Sequence, residues 1–113
     1  MQTIVELPEF LRKSERLFRH IERQSIVNYL ASHPESGVIV RGAGGIRKLR
    51  WSAQDKGKSR GVRVIYYYHN KSMPLFLLTV FGKGEKANIS KGERNQLASI
   101  ALRLRNSYGD LNE

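Results

Sequence analysis

Residues 62–81, Val62-Arg63-Val64-Ile65-Tyr66-Tyr67-Tyr68-His69-Asn70-Lys71-Ser72-Met73-Pro74-Leu75-Phe76-Leu77-Leu78-Thr79-Val80-Phe81, decide the fold. β-Branched and aromatic residues fill Val62–His69 and Leu75–Phe81, and a short polar turn, Asn70–Pro74, separates the two runs. That is the pattern of two antiparallel strands. Upstream, Ile46–Trp51 and Val38-Ile39-Val40 are also β-like, with Gly42-Ala43-Gly44-Gly45 as the bend between them. Earlier still the period changes. From Pro8 to Ala31 there is no Gly and no internal Pro, and Phe10, Leu17, Phe18, Ile21, Ile26, Tyr29 and Leu30 form a broad apolar face at helical spacing. One long helix, or a short one and a long one, is predicted there, ended at Pro34 and preceded by a short strand at Thr3-Ile4-Val5. Downstream, Ser90-Lys91-Gly92-Glu93 fits a capping box, and Leu97, Ile100, Ala101 and Leu104 follow at i, i+3, i+4, i+7. The expectation is an α+β fold: N-terminal helices and a C-terminal helix on one face of a small, twisted, mainly antiparallel sheet. It forms one domain over residues 1–113.

Charge is the informative part of the composition. Twenty Lys and Arg oppose ten Asp and Glu, a net charge of +10. Residues 1–36 carry five basic and five acidic groups, which cancel. Residues 41–63 carry Arg41, Arg47, Lys48, Arg50, Lys56, Lys58, Arg60 and Arg63 against Asp55 alone. A field of one sign concentrated in one stretch attracts a polyanion. There is no cysteine, which excludes disulfides and thiol chemistry and suits a cytoplasmic protein. No apolar run has membrane-spanning length, and the N-terminus lacks the layout of a signal peptide. No membrane partner is expected.

Several local motifs fail on inspection. Gly57-Lys58-Ser59 echoes the end of a P-loop, but Ser52 stands where the first glycine is required. Gly42-x-Gly44 lacks a third glycine, because position 47 is Arg. His20, His33 and His69 are scattered, so neither a metal site nor a Ser–His–Asp arrangement is expected. Strand alternation is what survives. Lys48 and Arg50 share one face of their strand, while Leu49 and Trp51 point to the core. Arg63 opens the next strand, and Lys83 and Lys86 follow the last one, so these cations are predicted to converge on one open sheet face. Like charges on adjacent strands repel, which is easier to rationalise if an anion sits among them. By the same alternation Tyr66 and Tyr68 are core residues, and Tyr67 lies on the Arg63 face, where it could stack on a base. The glycine- and lysine-rich loop Ser52–Gly61 is expected to be mobile, with Lys56, Lys58 and Arg60, together with Arg47, contacting RNA.

Taken in order, Gly44-Gly45-Ile46-Arg47-Lys48-Leu49-Arg50, Gly61-Val62-Arg63-Val64-Ile65-Tyr66-Tyr67 and Leu77-Leu78-Thr79-Val80-Phe81-Gly82-Lys83-Gly84-Glu85 resemble the RelE/HigB superfamily of bacterial toxins, nearest its HigB-like branch. The resemblance implies an mRNA interferase that works in the ribosomal A site without cofactor or metal. Cleavage there uses the 2′-OH as nucleophile and leaves a 2′,3′-cyclic phosphate. It also implies a cognate antitoxin covering the basic groove, often a HigA-like helix-turn-helix protein. The family's phosphate-holding positions fall on Lys48, Arg50 and Arg63, with Lys83 and Lys86 as further candidates. After the last strand the family often supplies an Arg and a Tyr. Gly84 and Ser90 stand in those places here, while Glu85 is retained, in a structural or a catalytic role.

Two functional readings follow. An endoribonuclease needs preorganised cations aimed at a phosphate that gains charge under 2′-OH attack. A non-catalytic RNA- or ribosome-binding module, or a degenerate toxin that only binds its antitoxin, needs the same charge without the missing Arg and Tyr.

Overall fold

Val62–Tyr67 and Leu75–Gly82 are apolar on both faces, Arg63 and Thr79 excepted, and strands of that kind belong in the middle of a sheet covered on both sides. The computed structural model, which describes residues 1–52, 61–86 and 88–109, places them there. In chain order the elements are β1 (Ile4–Glu6), α1 (Pro8–Leu17), α2 (His20–Ser32), β2 (Val38–Ile39), β3 (Ile46–Trp51), β4 (Val62–Tyr67), β5 (Leu75–Gly82) and α3 (Lys91–Gly109). The five strands are ordered β1-β5-β4-β3-β2. β1 runs parallel to β5, and the remaining neighbours are antiparallel. In the β4–β5 turn the Asn70 side chain accepts a hydrogen bond from the Ser72 amide (2.8 Å). An Asx turn of this kind supplies the backbone reversal that the polar segment foretold.

The predicted α+β class holds, but the helices do not share one face. Phe10 of α1 and Ile26 and Leu30 of α2 pack with Leu49, Val62, Val64, Tyr66, Leu75, Leu77 and Val80. Ala101 of α3, with Leu97, Ile100 and Leu104 around it, packs with Ile46, Ile65, Tyr67, Phe76, Leu78 and Phe81. The two sets alternate along β4, so they are its opposite faces. A bulge between Ile65 and Tyr66, where Thr79 pairs Ile65 and Leu77 pairs Tyr66, lets Leu78 join the α3 side.

The first third forms two helices of similar length. Phe18 is extended (φ −158°, ψ 167°), and Arg19 caps the start of α2. Ile21 is therefore not part of the apolar face expected of it; it is 70% exposed. Five residues before Ile26, it lies about 140° round the helix from the buried stripe. At the start of α3 the capping box forms as the sequence foretold: Glu93 N–H donates to Ser90 Oγ (3.1 Å) and Ser90 N–H to Glu93 Oε1 (2.9 Å). Ala43 lies in the bend before β3, where Gly42, Gly44 and Gly45 have φ of 75°, 66° and 101°. Such values favour glycine at each of the three positions.

Tyr66 ties α2's exit to the sheet. Fully buried, its hydroxyl donates to the Pro34 carbonyl (2.8 Å) and accepts from the Gly37 amide (2.8 Å). Burial raises its pKa, against the pull of the Gly37 amide and the Arg47 charge. Gly37 is required by that approach, since a Cβ there would meet the Tyr66 ring and hydroxyl at 2.7 Å. Tyr66→Phe leaves the Gly37 amide buried without its acceptor and is expected to cost about 1–3 kcal/mol, read by denaturant unfolding.

Candidate nucleic-acid interface

The register of the three central strands builds the site. Arg50 lies opposite Arg63, and Arg63 lies opposite Phe81, so Arg50, Arg63 and Phe81 form one row across β3, β4 and β5 on one face. Lys48, Ile65 and Thr79 form the next row on that face. α3 covers the sheet beyond, over Ile65, Tyr67 and Phe76. Among the described residues, the end of the face that carries the cations stays open. Arg50 is exposed and Arg63 half-buried. The Arg63 guanidinium lies beside Gly61, where an added Cβ would make an ordinary 3.4 Å contact with Nη1.

Lys48 is held by its ammonium donating to Asn88 Oδ1 (3.3 Å), a contact across 40 residues that no sequence pattern announces. Lys83 sits just past β5, with its backbone amide on the Gly61 carbonyl (3.0 Å). Glu85 closes the following turn: its Oε1 accepts from the Gly82 amide (2.7 Å), and its own amide donates to the Gly82 carbonyl (3.0 Å). Lys86 lies over the Phe81 ring, 4.7 Å from its centroid, and its ammonium is paired with the Glu93 carboxylate. Lys86 thus reaches the row with its charge already matched by a carboxylate. The hydrogen bond from Lys86 and the Ser90 amide hold the Glu93 pKa down, to about 2.

Because the folded state lowers the Glu93 pKa, the stability it adds is complete above about pH 4.5 and is lost as pH falls towards 2. Both partners are about one-third exposed, so the effect is small. Glu93→Gln keeps the cap but removes this titration; acid unfolding curves of the two proteins are expected to converge below about pH 2.

Two expected RNA contacts lie elsewhere. Tyr67 does share the Arg63 face, but it is only 2% exposed, because α3 covers that end of the sheet. It cannot stack on a base. Its ring is stacked with His69 (6.3 Å, 17°), and burial raises its pKa against the pull of Arg105. Arg47 alternates to the opposite face from Lys48 and Arg50, and its Nη1 donates to the carbonyls of Glu35 (3.0 Å) and Gly37 (2.8 Å). It buttresses the α2–β2 turn. Arg47→Ala is expected to lower the melting temperature while leaving the salt dependence of RNA binding unchanged; a reduced slope would instead place it on the nucleic acid. Lys56, Lys58 and Arg60, and the loop expected at Ser52–Gly61 except its two ends, lie outside the described residues.

Of the positions where the resembled family carries an Arg and a Tyr, Gly84 lies in the turn after β5 with open space around its would-be Cβ, and Ser90 is the cap of α3. His20 contacts Arg23, and His33 and His69 stack on tyrosines, so none of the three histidines lies in the cationic rows. The described residues contain no group of His, Cys, Asp or Glu arranged to hold a metal ion and no helix long and apolar enough to cross a membrane.

Fold and site together define a small α+β protein with Lys48, Arg50 and Arg63 on one face of its sheet. Over residues 15–110 the chain matches the family described as the RelE toxin of the RelE / RelB toxin-antitoxin system, and it belongs to that family. It is a toxin of a toxin-antitoxin system, and toxins of this family are generally ribonucleases.

Proposed function

We propose that the protein is a cytoplasmic, ribosome-dependent endoribonuclease of the HigB-like kind, which cuts messenger RNA in the A site and is neutralised by a cognate antitoxin. The observation that carries the reading is the direct opposition of Arg50 and Arg63 on neighbouring strands, with neither ion-paired to any described carboxylate. Two guanidiniums held side by side by backbone pairing repel each other unless an anion lies between them. A phosphodiester is such an anion. Attack by a ribose 2′-OH makes its phosphorus pentavalent and adds negative charge to the equatorial oxygens. Cations fixed beforehand stabilise that state more than the ground state.

In this reading Arg63 grips two phosphate oxygens with its planar fork, Arg50 flanks the same phosphate, and Lys48, steadied by Asn88, lies one row behind. The 2′-oxygen gives up its proton to solvent as it bonds to phosphorus, the bond from phosphorus to the 5′-oxygen breaks, and that oxygen takes a proton from solvent, leaving a 2′,3′-cyclic phosphate. Lys83 adds field at the edge of the row. Lys86 acts through its stack on Phe81 and its pair with Glu93 rather than as a phosphate ligand. The chemistry is assigned to these cations, with no metal ion taking part in the step. Induced expression with mapping of messenger ends tests the reading: new ends within translated frames are expected from the native chain and not from the Arg63→Ala chain. Identical end maps before and after induction would refute it.

One observation keeps a binding-only reading in play. Gly84 and Ser90 replace the Arg and Tyr of the resembled pattern, and the cationic rows hold no histidine or free carboxylate among the described residues. Gly84→Arg separates the readings, because the backbone there is not at positive φ and the space is open. A catalyst short of one cation is expected to gain cleavage rate several-fold on the substitution. A pure binder would gain affinity without any cut.

A further inference from the structure

We propose that Tyr29, His33 and Trp51 form a second RNA subsite, an aromatic platform that stacks a base flanking the phosphate held by Arg50. This rests on the RNA reading above and extends it round the edge of the sheet.

Tyr29 and His33 are one turn apart at the end of α2, with rings stacked at 4.7 Å and 20°. Tyr29 also meets Trp51 edge to face, at 5.6 Å and 64°. Trp51 rests against the α1–α2 core, but His33 is exposed and Tyr29 is 38% exposed. An isolated exposed ring is ordinary; three rings linked through Tyr29 and partly open to solvent make a surface of a definite kind. Its position matters more than its exposure. β2 pairs with β3 only at Arg47 and Lys48, so among the described residues Leu49, Arg50 and Trp51 have no strand partner on that side. Arg50 and Trp51 are consecutive on this open edge and point to opposite faces. The cationic row and the aromatic cluster are therefore two sides of one sheet edge.

A polyanion whose phosphate sits on Arg50 meets the platform as soon as its chain turns that edge. A single strand does this readily, a duplex does not. Ring faces accept any base, so the platform adds affinity without sequence preference, while the net charge of +10 favours nucleic acid over a neutral or basic partner.

Trp51 is the only tryptophan in the chain, so its emission reports on the platform directly. The probe is a non-cleavable 2′-O-methyl oligonucleotide of about ten nucleotides, set against inorganic polyphosphate, which offers charge without bases. The oligonucleotide is expected to quench Trp51 saturably. Polyphosphate is expected to compete for the same protein without quenching. His33→Ala and Tyr29→Ala are expected to weaken oligonucleotide binding about ten-fold each while polyphosphate binding stays unchanged. Both positions are exposed, and circular dichroism checks that the variants fold. Saturable binding that needs Arg50 but leaves Trp51 emission unaltered would overturn the platform and leave the cationic row standing. Emission that responds to a purified protein partner and not to RNA would overturn it as well, and a native chain that binds no RNA at all removes both readings.

Discussion

Replacing Arg63 by alanine is expected to lower the rate of messenger cleavage about 10²–10³-fold, the usual cost of losing one preorganised donor to a developing oxyanion. The size of the effect follows from where the residue sits. Arg63 is paired on both sides, with Arg50 across one strand boundary and Phe81 across the other, so its direction is set by two ladders. Lys48 and Arg50 sit nearer the sheet edge and are expected to cost less. Arg63→Lys retains the charge but replaces a planar fork by a single point, so activity is expected to return only in part. The variant should keep its fold, because Arg63 forms no described ion pair and lies half-buried at the open end of the face. Full growth inhibition by a folded Arg63→Ala chain would mean that the row is not the site.

The largest effect on stability is expected from Phe10→Ala, a loss of about 3–5 kcal/mol. Phe10 is fully buried on α1, the helix that lies on β5, and packs among the α1–α2 core residues. Removing the ring leaves a cavity under a ten-residue helix held mainly by this contact and by Leu17 beside it. Against a total stability on the order of 5–15 kcal/mol, that is a large share. Ile21→Ala is the matched control. Sequence periodicity puts both residues on one apolar face, yet Ile21 is exposed, and its loss is expected to stay within about 0.5 kcal/mol. Equal destabilisation by the two would contradict the break at Phe18 and Arg19.

Much of the architecture was legible because local chemistry and long-range packing agree along this chain. The β4–β5 pair, the Asx turn at Asn70, the Ser90–Glu93 cap and the shared face of Lys48 and Arg50 all follow from rules that reach only a few residues. Which face a helix chooses is a different matter. The apolar stripe of α3 says that it must be covered, but nothing in Leu97, Ile100, Ala101 and Leu104 says by which side of the sheet. The doubly apolar character of β4 and β5 was the signal that both faces needed a helix. Missing it left Tyr67 exposed in the expectation and open to a base, when it lies beneath α3.

The geometry of the candidate site was legible in part. Alternation within β3 placed Lys48 and Arg50 together, and adjacency in the chain order brought Arg63 beside them. It did not reveal that Arg50 and Arg63 are direct partners, because register depends on the length and shape of the connection between the strands. The same alternation assigns Arg47 to the other face, and only the carbonyls of Glu35 and Gly37, gathered there by the end of α2, give that guanidinium its place. Asn88 and Glu93 come from a segment that sequence reasoning treated as the approach to a helix. Their contacts with Lys48 and Lys86 show that this segment shapes the cationic face as well.

The chemistry of the cut end is the most direct test that the protein severs RNA by 2′-OH attack across the Arg50–Arg63 row. A messenger is incubated with ribosomes and purified protein, and the upstream fragment is analysed for its 3′ terminus, beside a messenger bearing a single 2′-deoxy residue at the cut position. A 2′,3′-cyclic phosphate on the first RNA and no cut in the second are the expected results. A 3′-hydroxyl end, or undiminished cutting of the deoxy-substituted messenger, would contradict the proposed attack.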